Sequence, residues 1–198
     1  MINTIFEISL GGNKMAILFG NRKYKYRVHE GLYYDVDLQM MSYMFETCVE
    51  YFKVKFSVDI CRDRFIETFM LSNTRATMDE CHPQLFGFSS WELLDRYCEY
   101  ELNYDFSQFT LTEDDDLEND SWEMEGHWIG LMYVILHNFT GLSSREIYKK
   151  FDCKAARHAY YLGHEVAFSQ CLDGLCEKYN WTSLLIERDG KDEIPGLD

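Results

Sequence analysis

WEMEGHWIGLMYVILHNF, residues Trp122–Phe139, predicts a helix that is apolar on nearly all of its sides. One stripe of its side chains recurs at helical spacing and comprises Trp128, Ile129, Met132, Ile135, Leu136 and Phe139. Leu131 and Val134 occupy the other side of the same helix. A helix without a polar face is normally buried within a bundle, so the pattern predicts the central core helix of the protein.

Both ends of this helix carry local signals. Asp120 is predicted to cap its start, with Glu123 in the position that completes a capping box. Gly141 supplies a residue that can adopt the left-handed conformation at the end. The uncharged run from Trp128 to Phe139 is shorter than the roughly 18 residues that a membrane span needs. We therefore expect no membrane association.

An acidic run, EDDDLENDS (Glu113–Ser121), precedes the central helix. Such a run is more typical of a solvated loop than of a ligand site. It is also the best candidate for a domain boundary. The sequence thus divides into an N-terminal segment, 1–111, and a C-terminal helical module, 112–198, or forms one compact domain.

Composition indicates a folded, acidic protein. Hydrophobic residues make up 46% of the chain, aromatic residues make up 16%, and the formal net charge is -15. The acidic excess is larger after residue 110 than before it. An acidic surface repels nucleic-acid backbones and favours basic partners. We expect a protein partner with a basic surface and no direct binding to nucleic acid.

Cysteine usage indicates the compartment. The chain has 7 cysteines, an odd number, and no CxxC pair. Most fall within helical patterns, where a free cysteine behaves as a small core residue. The first residues do not combine a charged region with an apolar one, so we predict no secretion signal. These features predict a cytoplasmic protein of a bacterium or phage, in a reducing compartment.

The N-terminal pattern predicts β structure. Ile2–Leu10 and Lys23–Val28 alternate, and Met15–Phe19 is a short apolar run. Gly11–Asn13 and Gly20–Asn21 are predicted turns between them. The predicted fold class is α+β and mainly helical: a small N-terminal antiparallel β meander with one basic face, followed by a helical bundle around the central apolar helix.

The rest of the bundle is predicted from helical spacing and caps. A long helix is expected to begin at Asp37. Capping residues are predicted at Ser57, at Ser89 with Glu92, at Ser143 with Glu146, and at Asp152. Ser72–Met78 is predicted to be a turn, Tyr104–Leu111 to be extended, and Trp181–Ile186 to be a short strand or turn.

Signals for catalysis or metal binding are weak. The 6 histidines show no HExxH spacing, and no cysteine pair has zinc-ribbon spacing. The chain has no P-loop, GxGxxG or GxSxG motif. We therefore predict no catalytic residue, metal or cofactor, and no enzyme. Glu125 and His127 could form a buried acid/base pair, although a hydrogen-bonded pair at a helix end is the commoner outcome.

The C-terminal third carries a more specific pattern. An acidic approach precedes Trp128, Ile129, Gly130 and Tyr133, and a second group follows at Ser143, Ser144, Ile147 and Tyr148. In this pattern the chain, over roughly 122–175, resembles a group of small bacterial proteins that accompany ADP-ribosyltransferase-like toxin genes. The resemblance implies an antitoxin or immunity-like role: the protein would bind a partner toxin and silence it by occlusion.

The N-terminal half shows a fainter similarity. Phe45, Cys48, Val49, Glu50 and His82 resemble a second helical module of the same operons, in which an F-x-x-C-[IV]-E helix precedes a leucine–histidine pair. Cys81 stands where that leucine would be. If both resemblances hold, the chain fuses two accessory modules.

The resemblance and the charge together favour an antitoxin-like binding protein that blocks the basic surface of a toxin. The predicted partner-binding residues are Asp114, Asp115, Asp116, Glu118, Glu123 and Glu125. One alternative is a phage anti-defence protein that uses 113–125 as an acidic nucleic-acid mimic. Another is an uncharacterised enzyme with Glu125, His127 or His137 in a pocket.

Overall fold

The structure is a computed structural model that describes residues 7–10, 13–16, 24–28, 32–80, 85, 87–113 and 122–187. Its helices, in chain order, are α1 (Leu32–Phe56), α2 (Arg62–Met70), α3 (Asn73–Asp79), α4 (Ser90–Tyr100), α5 (Trp122–Thr140), α6 (Ser144–Tyr148), α7 (Cys153–Gly163) and α8 (Phe168–Lys178). A short 3₁₀ helix, Thr182–Leu184, follows α8. None of the described helices is both long enough and apolar enough to cross a bilayer.

The predicted α+β fold class was wrong, because most of the described chain is helical and no β meander forms among the described residues. Pairing near the N-terminus is limited to β1 (Glu7–Leu10) and β2 (Asn13–Ala16), an antiparallel pair of four-residue strands. The predicted third strand does not join them. Within it, Tyr24 instead forms an isolated antiparallel bridge with Glu187. The alternating pattern of this segment therefore comes from packing against the C-terminal part of the chain and not from pairing with β1 and β2.

Helices α1 and α5 form the centre of the bundle. Gly126 of α5 lies against the backbone at Phe45, and Gly130 lies against the backbone at Met41. Since the positions rise along α5 as they fall along α1, the two helices run antiparallel. Residues 125–140 are all buried. The prediction of α5 as the central core helix is therefore confirmed.

Local caps fix most of the helix starts. Ser89 with Glu92 and Ser143 with Glu146 form complete capping boxes, and the Asp152 side chain accepts a hydrogen bond from the Ala155 N–H. Gly141 ends α5 with a φ of 73°. These predictions are confirmed.

Several other boundaries were wrong. Helix α1 begins at Leu32, before the predicted start at Asp37. Ser57 caps no helix: its φ is 57°, and α2 starts at Arg62. The predicted turn Ser72–Met78 contains α3, with Ser72 as its cap. In the predicted extended segment Tyr104–Leu111, only Thr110 pairs, in an isolated bridge with Ile60.

The predicted boundary at 111/112 falls between α4 and α5. Helices α1 and α5 lie on either side of this boundary and pack directly against each other. Buried residues from both segments, such as Phe45 and Phe52 before it and Met132 and Phe139 after it, belong to one hydrophobic cluster. The described parts of the two segments therefore share a core.

Candidate functional site

The predicted partner-binding residues fall in three different settings. Asp114, Asp115, Asp116 and Glu118 lie outside the described residues. Glu123 is exposed in the first turn of α5, where a partner could reach it. Glu125, two residues later, is fully buried, so its carboxylate is not on the protein surface.

Glu125 belongs to an ionic chain between α5, α7 and α2. The Arg157 Nε donates to Glu125 Oε1 at 2.9 Å, and the same guanidinium donates to Asp63 Oδ2 at 3.0 Å. The Cys153 thiol lies 3.4 Å from the other Asp63 oxygen. Burial raises the pKa of Glu125, while the charge of Arg157 opposes that rise. The arrangement joins three helices, which is a structural role.

His127 has a different acidic partner. Its Nδ1 lies 2.7 Å from Glu46 Oε2, and the Tyr43 ring packs edge-on against the imidazole with centroids 5.6 Å apart. His127 Nε2 and Glu125 Oε2 are buried atoms without a hydrogen-bond partner among the described residues. Glu125 and His127 therefore pair with other residues and not with each other.

A second buried ionic cluster surrounds Arg75. Its guanidinium contacts Asp37 at 2.7 Å and Asp79 at 3.1 Å, and its Nε donates to the Ser144 hydroxyl at 2.7 Å. Burial lowers the pKa of Arg75, but the charges of Asp37 and Asp79 outweigh this effect and raise it. Nearby, His137 Nδ1 lies 2.7 Å from the Leu142 carbonyl oxygen. These groups connect α1, α3, α5 and α6 in the interior.

The clefts on the described surface include two with volumes of about 640 and 430 Å³. Neither is lined by Glu125, His127 or His137. Among the residues that the structure describes, no group of three His, Cys, Asp or Glu side chains could hold a metal ion.

An apolar surface lies where α7 and α8 meet α5. The Trp128 ring packs against the rings of Tyr160 and Phe168, with ring centroids 5.8 and 6.2 Å apart, respectively. The described chain has ten exposed large hydrophobic side chains, and four of them are within four sequence positions of Trp128, Tyr160 or Phe168. We call them the Trp128 surface: Met124, Tyr161, Leu162 and Val166. Exposed apolar side chains that cluster in this way often mark protein interfaces.

The charged residues near the Trp128 surface have both signs. Glu123 and Glu165 are exposed and adjoin Met124 and Val166 in the chain, and Lys154 is exposed at the start of α7. The acidic run ends at Ser121, directly before the first residue of α5. In the sequence, the acidic run therefore ends three residues before Met124, a member of this surface.

Comparison of the chain with protein-family models, with curated proteins and with solved structures finds no match. The resemblance to toxin-associated proteins and the predicted partner therefore remain predictions.

The Trp128 surface was missed because its members come from α5, from α7 and from the turn between α7 and α8, and sequence spacing does not reveal which of these segments meet. One signal for the packing of α5 was present in the sequence. Gly126 and Gly130 form a small-xxx-small pair, a spacing that lets two helix backbones approach closely. It predicts a helix partner for α5 but not the identity of that partner.

Proposed function

We propose that the protein binds and neutralises a partner protein with a basic surface, in the manner of an antitoxin or immunity protein. The observation that carries this proposal is the Trp128 surface, together with the acidic run that directly precedes α5 in the sequence. A few well-packed side chains near the centre of an interface contribute most of the affinity. Acidic residues around them accelerate the encounter with a basic partner and select against acidic ones.

The proposed partner is a toxin, and the resemblance favours one that is ADP-ribosyltransferase-like. The residues that carry the resemblance are mostly interior: Trp128, Ile129, Tyr133 and Ile147 are buried, and Gly130 lies against α1. Because they are buried, these residues support a fold shared with the toxin-associated proteins more directly than they support a shared partner. The partner itself is to be identified from the product of the neighbouring gene.

An enzyme centred on Glu125, His127 or His137 has less support. The first two side chains are paired with Arg157 and Glu46, and His137 is bonded to a backbone carbonyl. A substrate would need to open these contacts to reach the groups.

The first experiment is co-expression with the product of the adjacent gene. We expect a stable complex and restored growth when that product is toxic alone. A neighbouring protein that is neither toxic nor retained by this chain would contradict the proposal.

The second experiment locates the interface. Leu162→Gln removes the side chain with the largest exposed fraction in the Trp128 surface, 72%, without changing the net charge. We expect the complex to dissociate about tenfold faster, since the loss of a central apolar contact acts mainly on the off-rate. Val54→Gln is the matched control, because Val54 is 64% exposed on α1, a helix that contributes no residue to this surface. Equal effects of the two exchanges would count against the assigned interface.

The third experiment separates the antitoxin proposal from nucleic-acid mimicry. Asparagine replaces Asp114, Asp115 and Asp116 together. The antitoxin proposal predicts slower association with the complex retained, because peripheral charges act mainly on the on-rate. Complete loss of inhibition by a protein that still folds would favour the mimic.

A further inference from the structure

The chain leaves α4 through a strained turn that presents aromatic rings to solvent. Asn103 and Tyr104 have φ values of 49° and 59°, in the left-handed region. For a bulky residue such as tyrosine this conformation is an outlier, and such outliers cluster at functional sites. The Tyr104 N–H donates to the Cys98 carbonyl oxygen at 2.9 Å, which closes the turn. Tyr100 and Tyr104 are 71% and 55% exposed.

The electrostatic surroundings of these rings favour a cation. Glu99 and Asp105 are exposed beside them, and the C-terminal end of α4 is the negative end of its dipole. Hydrogen bonds from Ser107 lower the pKa of Asp105, so this carboxylate stays ionised. Two basic side chains that contact or belong to α4 are already engaged: Arg96 lies over the Phe88 ring at 4.1 Å, and Lys55 of α1 contacts Asp95 at 2.9 Å.

The cleft of about 640 Å³ adjoins the same turn, because Glu101 and Leu102 line it. Its wall also contains Glu67 and Arg64, and Arg64 donates to the Thr110 carbonyl oxygen at 2.9 Å. Glu101 accepts from two backbone N–H groups of α3, at 2.6 and 2.8 Å. The volume is within the range of pockets that hold ligands.

One buried polar group in this cleft lacks a partner. Tyr97 lines the cleft, its side chain is 1% exposed, and its hydroxyl has no hydrogen-bond partner among the described residues. A buried polar group without a partner is costly, and it is often completed by a ligand or a water. A phenol oxygen can accept a hydrogen bond from a cationic N–H group.

We propose that the surface formed by Tyr100, Tyr104 and the adjoining Tyr97 cleft binds an arginine side chain from a basic segment of a partner protein. A guanidinium group stacks on tyrosine rings, and its N–H groups donate to carboxylates and to a phenol oxygen such as that of Tyr97. Arginine is favoured over lysine because the ammonium group is compact and more strongly hydrated. This site is formed by α2, α3, α4 and the turn after α4, which contribute no residue to the Trp128 surface, and it does not depend on the partner being a toxin.

The test is a titration of the full chain with a fluorescent nona-arginine peptide and, in parallel, a nona-lysine peptide, followed by anisotropy at physiological salt. Tyr100→Asn combined with Tyr104→Asn removes both rings, keeps the net charge, and keeps at position 104 a residue that tolerates positive φ. We expect nona-arginine to bind more tightly than nona-lysine. The double variant should bind nona-arginine about tenfold more weakly, which corresponds to two cation–π contacts.

Tyr43→Asn is the matched control, because it removes a tyrosine that is 41% exposed on α1, outside the Trp128 surface. It should bind as the wild type does. Equal affinity of the double variant and the wild type, or an equal loss in the Tyr43→Asn control, would overturn the proposal. So would a wild-type chain that self-associates through these tyrosines, seen as a concentration-dependent mass that the double variant lacks.

Tyr97→Phe tests the cleft itself. The exchange removes only the buried hydroxyl, so the melting temperature should not fall. Binding of nona-arginine should weaken about fivefold through the loss of one hydrogen bond. Wild-type affinity in this variant would show that the guanidinium does not enter the cleft and would overturn that part of the proposal.

Discussion

Gly130 lies so close to α1 that a Cβ atom at this position would be 2.5 Å from the Met41 carbonyl oxygen. Gly126, one turn earlier, stands in the same relation to the Phe45 carbonyl oxygen, also at 2.5 Å. Two glycines four residues apart therefore set the distance between the two central helices. The glycine in the pattern Trp128, Ile129, Gly130 and Tyr133 has a packing reason: no larger residue fits between the backbones.

Gly130→Ala should lower the free energy of unfolding by about 1–3 kcal/mol, because the added methyl group meets backbone atoms that can yield only if the helices separate. For a chain of this size, each kcal/mol lowers the melting temperature by about 2–4 °C. Differential scanning fluorimetry measures this shift.

Gly174→Ala is the matched control for this exchange. A Cβ atom at position 174 of α8 would meet nothing within 4 Å. Alanine has the higher helix propensity, so this variant should be unchanged or more stable by up to about 1 kcal/mol. If Gly130→Ala melted at or above the wild-type temperature, the close approach of α1 and α5 would be wrong.

Arg75→Met should be among the most destabilising single exchanges. It leaves the buried carboxylate of Asp37 and the nearly buried one of Asp79 without their cation, a change that typically costs about 3–5 kcal/mol. Arg96→Met is the control, because Arg96 is exposed and its ring contact with Phe88 is worth about 0.5–1 kcal/mol. Urea unfolding of both variants gives the comparison. Similar midpoints would mean that the Arg75 cluster contributes no more than a surface contact.

The sequence predicted those features that depend on neighbours in the chain. The apolar pattern of α5 and the capping box at Ser143 and Glu146 are local, and both were predicted correctly. Helix α3 was predicted as a turn because its face toward the core carries Arg75, which looks polar and exposed in sequence. Only the partners Asp37 and Ser144, supplied by distant parts of the chain, make its burial possible.

The ionic pairs of the candidate site could not be predicted for the same reason. His127 and Glu46 are 81 positions apart, and Glu125 and Arg157 are 32 apart. A single sequence places Glu125 and His127 two residues from each other and suggests a pair. The helix turns these two side chains in different directions, toward α7 and toward α1.

The stability supplied by the α6 capping box should depend on pH. Hydrogen bonds from Ser143 lower the pKa of Glu146 in the folded state. A lowered carboxylate pKa contributes stability above the unfolded value of about 4.3, and that contribution is lost as the pH falls through the folded value. Ser143→Ala should therefore cost about 1 kcal/mol at pH 7 and less at pH 3.

Melting temperatures of the wild type and Ser143→Ala between pH 7 and pH 3 measure this effect. Ser183→Ala, in the exposed 3₁₀ helix, serves as the control and should track the wild type across the range. A difference between Ser143→Ala and the wild type that stays constant down to pH 3 would mean that Glu146 does not act through its charge.

Glu123 and Glu125 provide a matched pair, since they are two residues apart and differ in their burial. Glu125→Ala removes the carboxylate that binds Arg157, and this should cost about 1–3 kcal/mol, the range for a lost hydrogen bond to a charged group. Glu123→Ala changes an exposed side chain and should alter stability by less than about 0.5 kcal/mol.

The effects of the two variants on partner binding should be the reverse of their effects on stability. Glu123→Ala should slow association, whereas Glu125→Ala should leave association unchanged at temperatures where the variant is folded. Stopped-flow association and thermal melting of the same two variants separate a role in binding the partner from a role in stabilising the fold. A loss of association confined to Glu125→Ala would contradict the prediction, because it would place the binding site at the ionic network of Glu125 and not on the acidic surface.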